Sequence, residues 1–597
     1  MTPSPEQFLT VTRAFRPLPT ADGGLVFGSD LAGHPQVYRL PRPGRWPERL
    51  APSGDRVHAL AEVEGGLLLR HDQGGNETWQ LSLLAADGGL RRLTQDAKAI
   101  HQSVTPAPDR ERVGLGRNPG GQVDFHLSVL DLEAGRLEDW LRRDGFWLWA
   151  GWRPDGKQAT CVRMLSPTRL EGYLLDPDGT LTPVLPAARR AIPRWAPDGR
   201  LYAETDFESE FVGLAEVDPA QPREPRRWLL HVQHDLEAFV PDPSGRSAAV
   251  ALNQGPYDQL SLLDLTTGRS TPLKTPFPGI VYTDNVSPAD QNLAWSPDGR
   301  RLFAAWEGPT RPADVYELRR GTRWTQAGTE LGGCVEPQET DYRSFDGLEI
   351  PALHFFRRDG RPRPTLVWFH GGPEGQLRAG FNQAVQMLVA HGIDVFAPNV
   401  RGSTGYGVRY FSLDDKELRW DSVRDGVEAG RHLKATGAAS RLAAMGGSYG
   451  GFMTLAVLIE DPELWDAAVE LVGISDWHSF FRNTSGWRRA VRAAEYGDPE
   501  GAEAEVLAEF SPLRRAHVIR APLLVIHGRN DVRVPVSEAE QISQAAREAE
   551  LVIFDDEGHG IVKHVNRVKA YSRALSFLTE RLGLGRSADA AGSEPPG

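Results

Sequence analysis

The chain has 597 residues, 40% hydrophobic and 25% charged, and its 80 acidic residues against 67 basic ones leave a net charge of −13. That length exceeds what one hydrophobic core supports, so at least two domains are expected. The negative balance argues against a general nucleic-acid or anionic-membrane binder. Two cysteines, Cys161 and Cys334, give neither a disulfide framework nor a metal-ligand spacing. The N-terminus lacks the basic-then-apolar layout of a signal peptide and no apolar run reaches membrane-spanning length, so a cytoplasmic protein is the expectation.

In chain order, residues 20–330 repeat. Short strand-like runs alternate with turns at Pro154-Asp155-Gly156, Pro197-Asp198-Gly199 and Pro297-Asp298-Gly299, with variants at Pro108-Asp109-Arg110 and Pro243-Ser244-Gly245. Successive turns lie 43 to 54 residues apart. The clearest precede apolar strands (Leu201-Tyr202-Ala203, Leu302-Phe303-Ala304), and the run Leu260 to Leu265 shows the second apolar strand that closes a unit. A repeat of this length with about four strands predicts a β-propeller blade. About seven units fit between Thr20 and residue 330; the first two are weakly marked, which leaves a pair of β-sandwiches as the alternative.

Beyond residue 330 the pattern changes to apolar strands alternating with helical stretches. Thr365 to Phe369 reads as a strand ending in the turn His370-Gly371-Gly372-Pro373. Ile393 to Ala397 reads as another, running into the glycine-rich loop from Asn399 to Gly407. Leu442 to Met445 leads into Gly446-Gly447-Ser448-Tyr449-Gly450-Gly451 and then a helical run. A G-x-S-x-G pentapeptide between strand and helix is the mark of a nucleophile elbow, and glycine removes the Cβ clashes such a turn would create. Two further strands, Pro522 to Gly528 and Leu551 to Phe554, are followed by Asp531 and His559. Serine, acid and histidine in that order, each past the carboxyl end of a strand, fit the α/β-hydrolase arrangement.

The His-Gly-Gly-Pro turn, the Arg401 to Gly407 loop, Gly-Gly-Ser-Tyr-Gly-Gly, Asn530-Asp531-x-Arg533-x-Pro535 and Glu557-Gly558-His559-Gly560 occur in order over roughly residues 340–580. Together they resemble the prolyl oligopeptidase family of serine peptidases, with closest likeness to its acylaminoacyl peptidases and oligopeptidases. The resemblance implies Ser448 as nucleophile, His559 as base and Asp531 as orienting acid. It further implies an oxyanion hole from the Tyr449 N–H and the Tyr406 hydroxyl, and Arg533 as the ligand of a substrate carbonyl. It implies an α/β-hydrolase domain (331–585) capped by the propeller (20–330), which would admit short peptides and exclude folded proteins, and self-association of the chain. Residues 1–19, with Phe8, Leu9, Val11 and Phe15, are expected to form a short helix packing back onto the hydrolase domain, and the small polar tail, 586–597, to be disordered.

Several polar residues compete for these roles. Asp555 and Asp556 read as acidic turn residues, because the orienting acid must approach from a separate loop. His564 falls in a helical pattern; His370 and His527 read as structural turn histidines, and Arg401 as an ion-pair partner that locks its loop. Trp477, Phe480 and Phe481 are candidates for the wall of an apolar specificity pocket, with ordinary core packing as the alternative. Blocked N-termini need an uncharged subsite, whereas a dipeptidyl peptidase needs acids to hold a free amine; Glu208 and Glu210 are the acidic pair considered for that. The reading is a serine peptidase of short peptides, N-acylated ones among them, of the acylaminoacyl peptidase or oligopeptidase kind, with dipeptidyl peptidase, carboxylesterase and a catalytically dead interaction protein as other classes. Neither a phosphate loop nor a metal cluster points to a cofactor, so none is expected.

Overall fold

The computed structural model describes residues 2–283 and 292–584; the tail expected at 586–597 lies outside the described residues. Residues 14–323 form seven small antiparallel sheets in sequence order: 14–49, 57–92, 101–141, 146–188, 191–230, 236–272 and 280–323. They are the blades of a seven-bladed β-propeller. The Pro-Asp-Gly turns each join the first strand of a blade to its second. Gly156, Gly199 and Gly299 take φ of 68°, 85° and 67°. The preceding aspartates accept the backbone N–H two residues on (Asp155 from Lys157, Asp198 from Arg200, both at 3.1 Å). Asp fixes the turn through that bond and Gly supplies the left-handed residue.

Each blade takes its strands from one contiguous stretch, so no strand crosses the seam between first and last blade. The ring closes instead by side-chain packing, with Leu25, Phe27 and Tyr38 against Phe303, Val315 and Trp324.

The hydrolase domain is one mixed sheet of β1 (Gln338–Arg343), β2 (Glu349–Phe355), β3 (Arg363–Phe369), β4 (Asp394–Pro398), β5 (Ala439–Gly447), β6 (Ala467–Leu471), β7 (Leu523–Gly528) and β8 (Ala549–Phe554), in the order β1-β2-β4-β3-β5-β6-β7-β8. β2 runs antiparallel to both its neighbours, β1 and β4, and the other neighbouring strands pair in parallel. Along β5 the alternation is plain. Leu442 and Ala444 belong to one core and Ala443 and Met445 to the other, as a two-residue period between two helical layers requires.

The helices that position the site are α1 (Pro5–Leu9), α2 (Gln383–Ala390), α3 (Arg419–Ala435), α4 (Tyr449–Glu460), α5 (Trp477–Asn483), α6 (Gly486–Tyr496) and α7 (His564–Arg581). α3 and α4 cover one face of the sheet; α2 and α7 cover the other. α1 starts with a capping box between Ser4 and Gln7 and has Pro5 in its first turn. Its Phe8 and Leu9 are fully buried in the α2–α7 core, so the N-terminus is tied to the hydrolase domain. Phe15 instead lies in the first propeller strand and stacks on Tyr282 at 5.5 Å. The propeller thus begins at Ala14, ahead of the Thr20 boundary read from the repeat.

Candidate active site

β5 ends at Gly447 and α4 begins at Tyr449, leaving Ser448 alone in the turn with φ 60° and ψ −122°. A non-glycine residue there costs on the order of 1–3 kcal/mol and holds only where the surroundings fix it. They do so by close approach. A Cβ on Gly446 would lie 2.3 Å from the Gly450 carbonyl oxygen, and one on Gly450 2.2 Å from that of Phe369. The Ser448 N–H donates to the Leu471 carbonyl at 2.9 Å. Tyr449 is the first residue of α4, so its N–H has no intrahelical acceptor.

Asp531 follows β7 and His559 follows β8. His559 Nε2 lies 2.9 Å from Ser448 Oγ, and Nδ1 lies 2.7 Å from Asp531 Oδ2. The other carboxylate oxygen, Oδ1, accepts the N–H groups of Arg533 (2.8 Å) and Val534 (2.9 Å). Burial works against the charged form of Asp531, but His559 and those N–H donors outweigh it and hold its carboxyl below the ordinary value. The constellation can deprotonate a hydroxyl, and the strand ends bring it together from residues 111 and 28 positions apart.

The competing residues are all otherwise engaged. Asp555 pairs with Arg529, and Asp556 bonds Lys563 and Asn566. His564 faces Asp30 at 3.3 Å, and His370 bonds Ser403 and the Gly371 carbonyl. His527 bonds the Val534 carbonyl. Arg401 locks its loop through Asp425 and Asp346. Glu210 accepts the N–H groups of Val408 and Arg409 at the start of the 407–411 helix and pairs with Arg409.

Tyr406 lies on the 399–407 loop, its hydroxyl bonded by Asn399 Nδ2 at 2.9 Å and beside Gln376. Burial, opposed by those two bonds, raises its hydroxyl above the ordinary value. The 371–376 turn beside it reaches the nucleophile, since a Cβ on Gly371 would sit 3.4 Å from Ser448 Cβ. Trp477, Phe480 and Phe481 are 0%, 4% and 1% exposed and pack with Phe452 and Tyr496 in the core. This is the core packing weighed as the alternative to a pocket wall. α5 turns these aromatic rings inward against α4 and α6, because burying them there removes large apolar area from water.

One element of the site was not visible in the sequence. The loop 72–78 of the second blade is wedged between the acid and histidine loops. A Cβ on Gly558 would meet the Gly75 carbonyl oxygen at 2.1 Å, and Asn530 Nδ2 donates to the Gly74 carbonyl at 3.0 Å. From this loop Glu77 pairs with Arg533, its Oε1 facing Nη2 at 2.8 Å and accepting from Nε at 2.9 Å, and its Oε2 accepting from Nε at 3.0 Å. Its signal was only a Gly-Gly pair before an acid, in a weakly marked repeat and 456 residues from its partner. Between the domains lies a cavity of about 530 Å³, lined by His559, Arg533 and Gln376 on one side and Arg13, Asp30 and Glu77 on the other.

A nucleophile elbow, a histidine bridging serine to carboxylate and a propeller over the cleft define an α/β-hydrolase with a serine-triad geometry. Residues 379–585 match the model of the Prolyl oligopeptidase family. The chain is 32% identical over 257 residues to dipeptidyl aminopeptidase BIII of Pseudoxanthomonas mexicana, covering 40% of this chain and 36% of that protein. It is 32% identical over 384 residues to dipeptidyl peptidase family member 6 of Caenorhabditis elegans, covering 60% and 50%. The chain thus aligns with half or less of the length of these curated relatives. The fold as a whole superimposes on a puromycin-hydrolyzing peptidase of Mycobacterium tuberculosis with TM-score 0.84 and 20% identity, covering 98% of this chain and 97% of that one.

Proposed function

We propose that the chain is a serine peptidase that cleaves short peptides through an acyl-enzyme on Ser448. The observation that carries this reading is His559, hydrogen-bonded at once to Ser448 Oγ and Asp531 Oδ2. In this mechanism His559 takes the serine proton as Oγ attacks the scissile carbonyl, then gives it to the leaving amine; Asp531 holds the imidazole tautomer and stabilises the imidazolium. The Tyr449 N–H and the Tyr406 hydroxyl meet the developing oxyanion. Water repeats the attack to release the acyl product.

The cleft supports N-blocked peptides over free amines. Its acids are already engaged: Glu77 by Arg533, and Asp30 by Arg13 and His564. Burial pushes the remaining carboxyl, Glu307, up to about 7. A free α-ammonium finds only Glu307 uncommitted among these, and burial favours the neutral form of that carboxyl. The test is cleavage of matched short peptides, N-acetylated and free, by the enzyme and its Ser448→Ala variant, with cut positions read by mass spectrometry. Release of single acetylated residues, lost in the variant, supports an acylaminoacyl peptidase. Cuts at other bonds regardless of blocking support a broader oligopeptidase, and absence of any peptide cleavage would sink the reading in favour of esters.

A further inference from the structure

Glu77 and Arg533 border a second cavity, of about 560 Å³, on the propeller side of the cleft. Its walls include residues from the first strands of four successive blades, among them Leu60, Val104 and Trp149, and Trp487 and Arg488 of α6. The charge on these walls is one-sided. Arg70, Lys98, Arg194, Arg488 and Arg533 line the cavity, against the single carboxylate of Glu77. That is the reverse of the chain as a whole, which carries −13.

Some of these cations are compensated. Arg194 bonds Glu204, and Arg533 bonds both oxygens of the Glu77 carboxylate. Arg488 is not compensated in the same way. Its one ion pair among the described residues is with the same Glu77, at 3.8 Å, and its Nε is buried without a hydrogen-bond partner. Its guanidinium stands 4.6 Å over the Trp487 ring, with 16% of the side chain exposed. Burial first, and then the neighbouring Arg533 charge, work against the charged state of Arg488. A planar guanidinium with a free edge, in a low-dielectric cavity whose one acid is already taken, is matched by a carboxylate that can accept two parallel N–H bonds.

We propose that Arg488 forms a carboxylate-binding subsite that gives the enzyme a preference for peptides bearing an acidic group near the scissile bond. The proposal rests on the peptidase reading, because the cavity shares Glu77 and Arg533 with the cleft that holds His559. Two sources supply the same chemistry: an Asp or Glu side chain, and a free C-terminal carboxylate. Trp149 and Trp487 flank the group with apolar surface that accommodates the neighbouring chain.

The test uses the full-length enzyme with its Arg488→Gln and Arg488→Lys variants on matched peptides, neutral or Glu-containing, each with a free or an amidated C-terminus. The wild type is expected to favour carboxylate-bearing peptides about ten- to a hundredfold in kcat/KM, the value of a charge-assisted bond. Arg488→Gln should lose that ratio, and Arg488→Lys should keep part of it. A preference that follows the Glu side chain identifies one source, and a preference that follows the free C-terminus the other. Equal wild-type turnover of all four peptides, or an equal loss on all four in Arg488→Gln, overturns the inference. Calorimetric binding of the same peptides to Ser448→Ala reads affinity without turnover. Equal affinities there overturn the subsite, whereas a carboxylate preference without cleavage in the wild type overturns only the peptidase reading.

Discussion

The two domains close their sheets in opposite ways. The hydrolase domain is one continuous eight-stranded ladder, so the ends of β5, β6, β7 and β8 are held in register by backbone hydrogen bonds. The propeller is seven separate sheets, and among the described residues no strand pairing closes its seam, which side chains pack instead. The ladder fixes positions to fractions of an ångström, which catalysis needs. The ring offers a stack of loops and cavities, which selection among substrates needs. Substitutions at the strand ends should therefore act on turnover, and substitutions in the ring on stability and choice of peptide.

The largest effect expected is at a strand end. Asp531→Asn keeps the volume but presents an amide to His559, and kcat should fall by about 10⁴ with the fold intact. A drop below tenfold would remove Asp531 from the triad. At the seam, Phe303 is fully buried against Trp324 at 5.3 Å. Phe303→Ala should cost about 3–5 kcal/mol in denaturant unfolding; a cost below 1 kcal/mol would show that the ring does not rely on its seam. Tyr406→Phe should lower kcat by about 10²- to 10³-fold and leave KM nearly unchanged. Unaltered kcat would take the hydroxyl out of the oxyanion hole.

The smallest effect concerns the interface of the two domains. Glu307, on the last blade, is raised by burial from 4.5 to about 7. The folded chain keeps a proton that the unfolded chain releases in that window. The stability at stake is fully present below about pH 4.5 and declines toward pH 7, by at most about 1.4 kcal/mol per unit. Glu307→Gln should flatten the difference in melting profiles across that range, and parallel profiles would assign the slope to other groups.

Much of this architecture is legible in the sequence because it rests on local chemistry. Pro-Asp-Gly marks a hairpin wherever it stands, and Gly446 and Gly450 are required by carbonyl oxygens only a Cβ away. Ser448, Asp531 and His559 are legible by their order at strand ends. The rest depends on which surfaces meet. Trp477, Phe480 and Phe481 have the composition of a pocket wall, and only the packing of α5 against α6 decides that they face inward. Glu77 and Arg488 have no motif at all, since their meaning arises where a propeller loop and a hydrolase helix converge on Arg533.

Helix α1 has a consequence for synthesis. Phe8 and Leu9 complete a core whose other members begin with Leu353 and end with Leu582. The ribosome therefore delivers this piece of the catalytic domain ahead of the propeller and the rest after it. Five residues are too few to hold a helix in water. The segment must wait without its core while the propeller is made, and folding of the catalytic domain is what finally claims it.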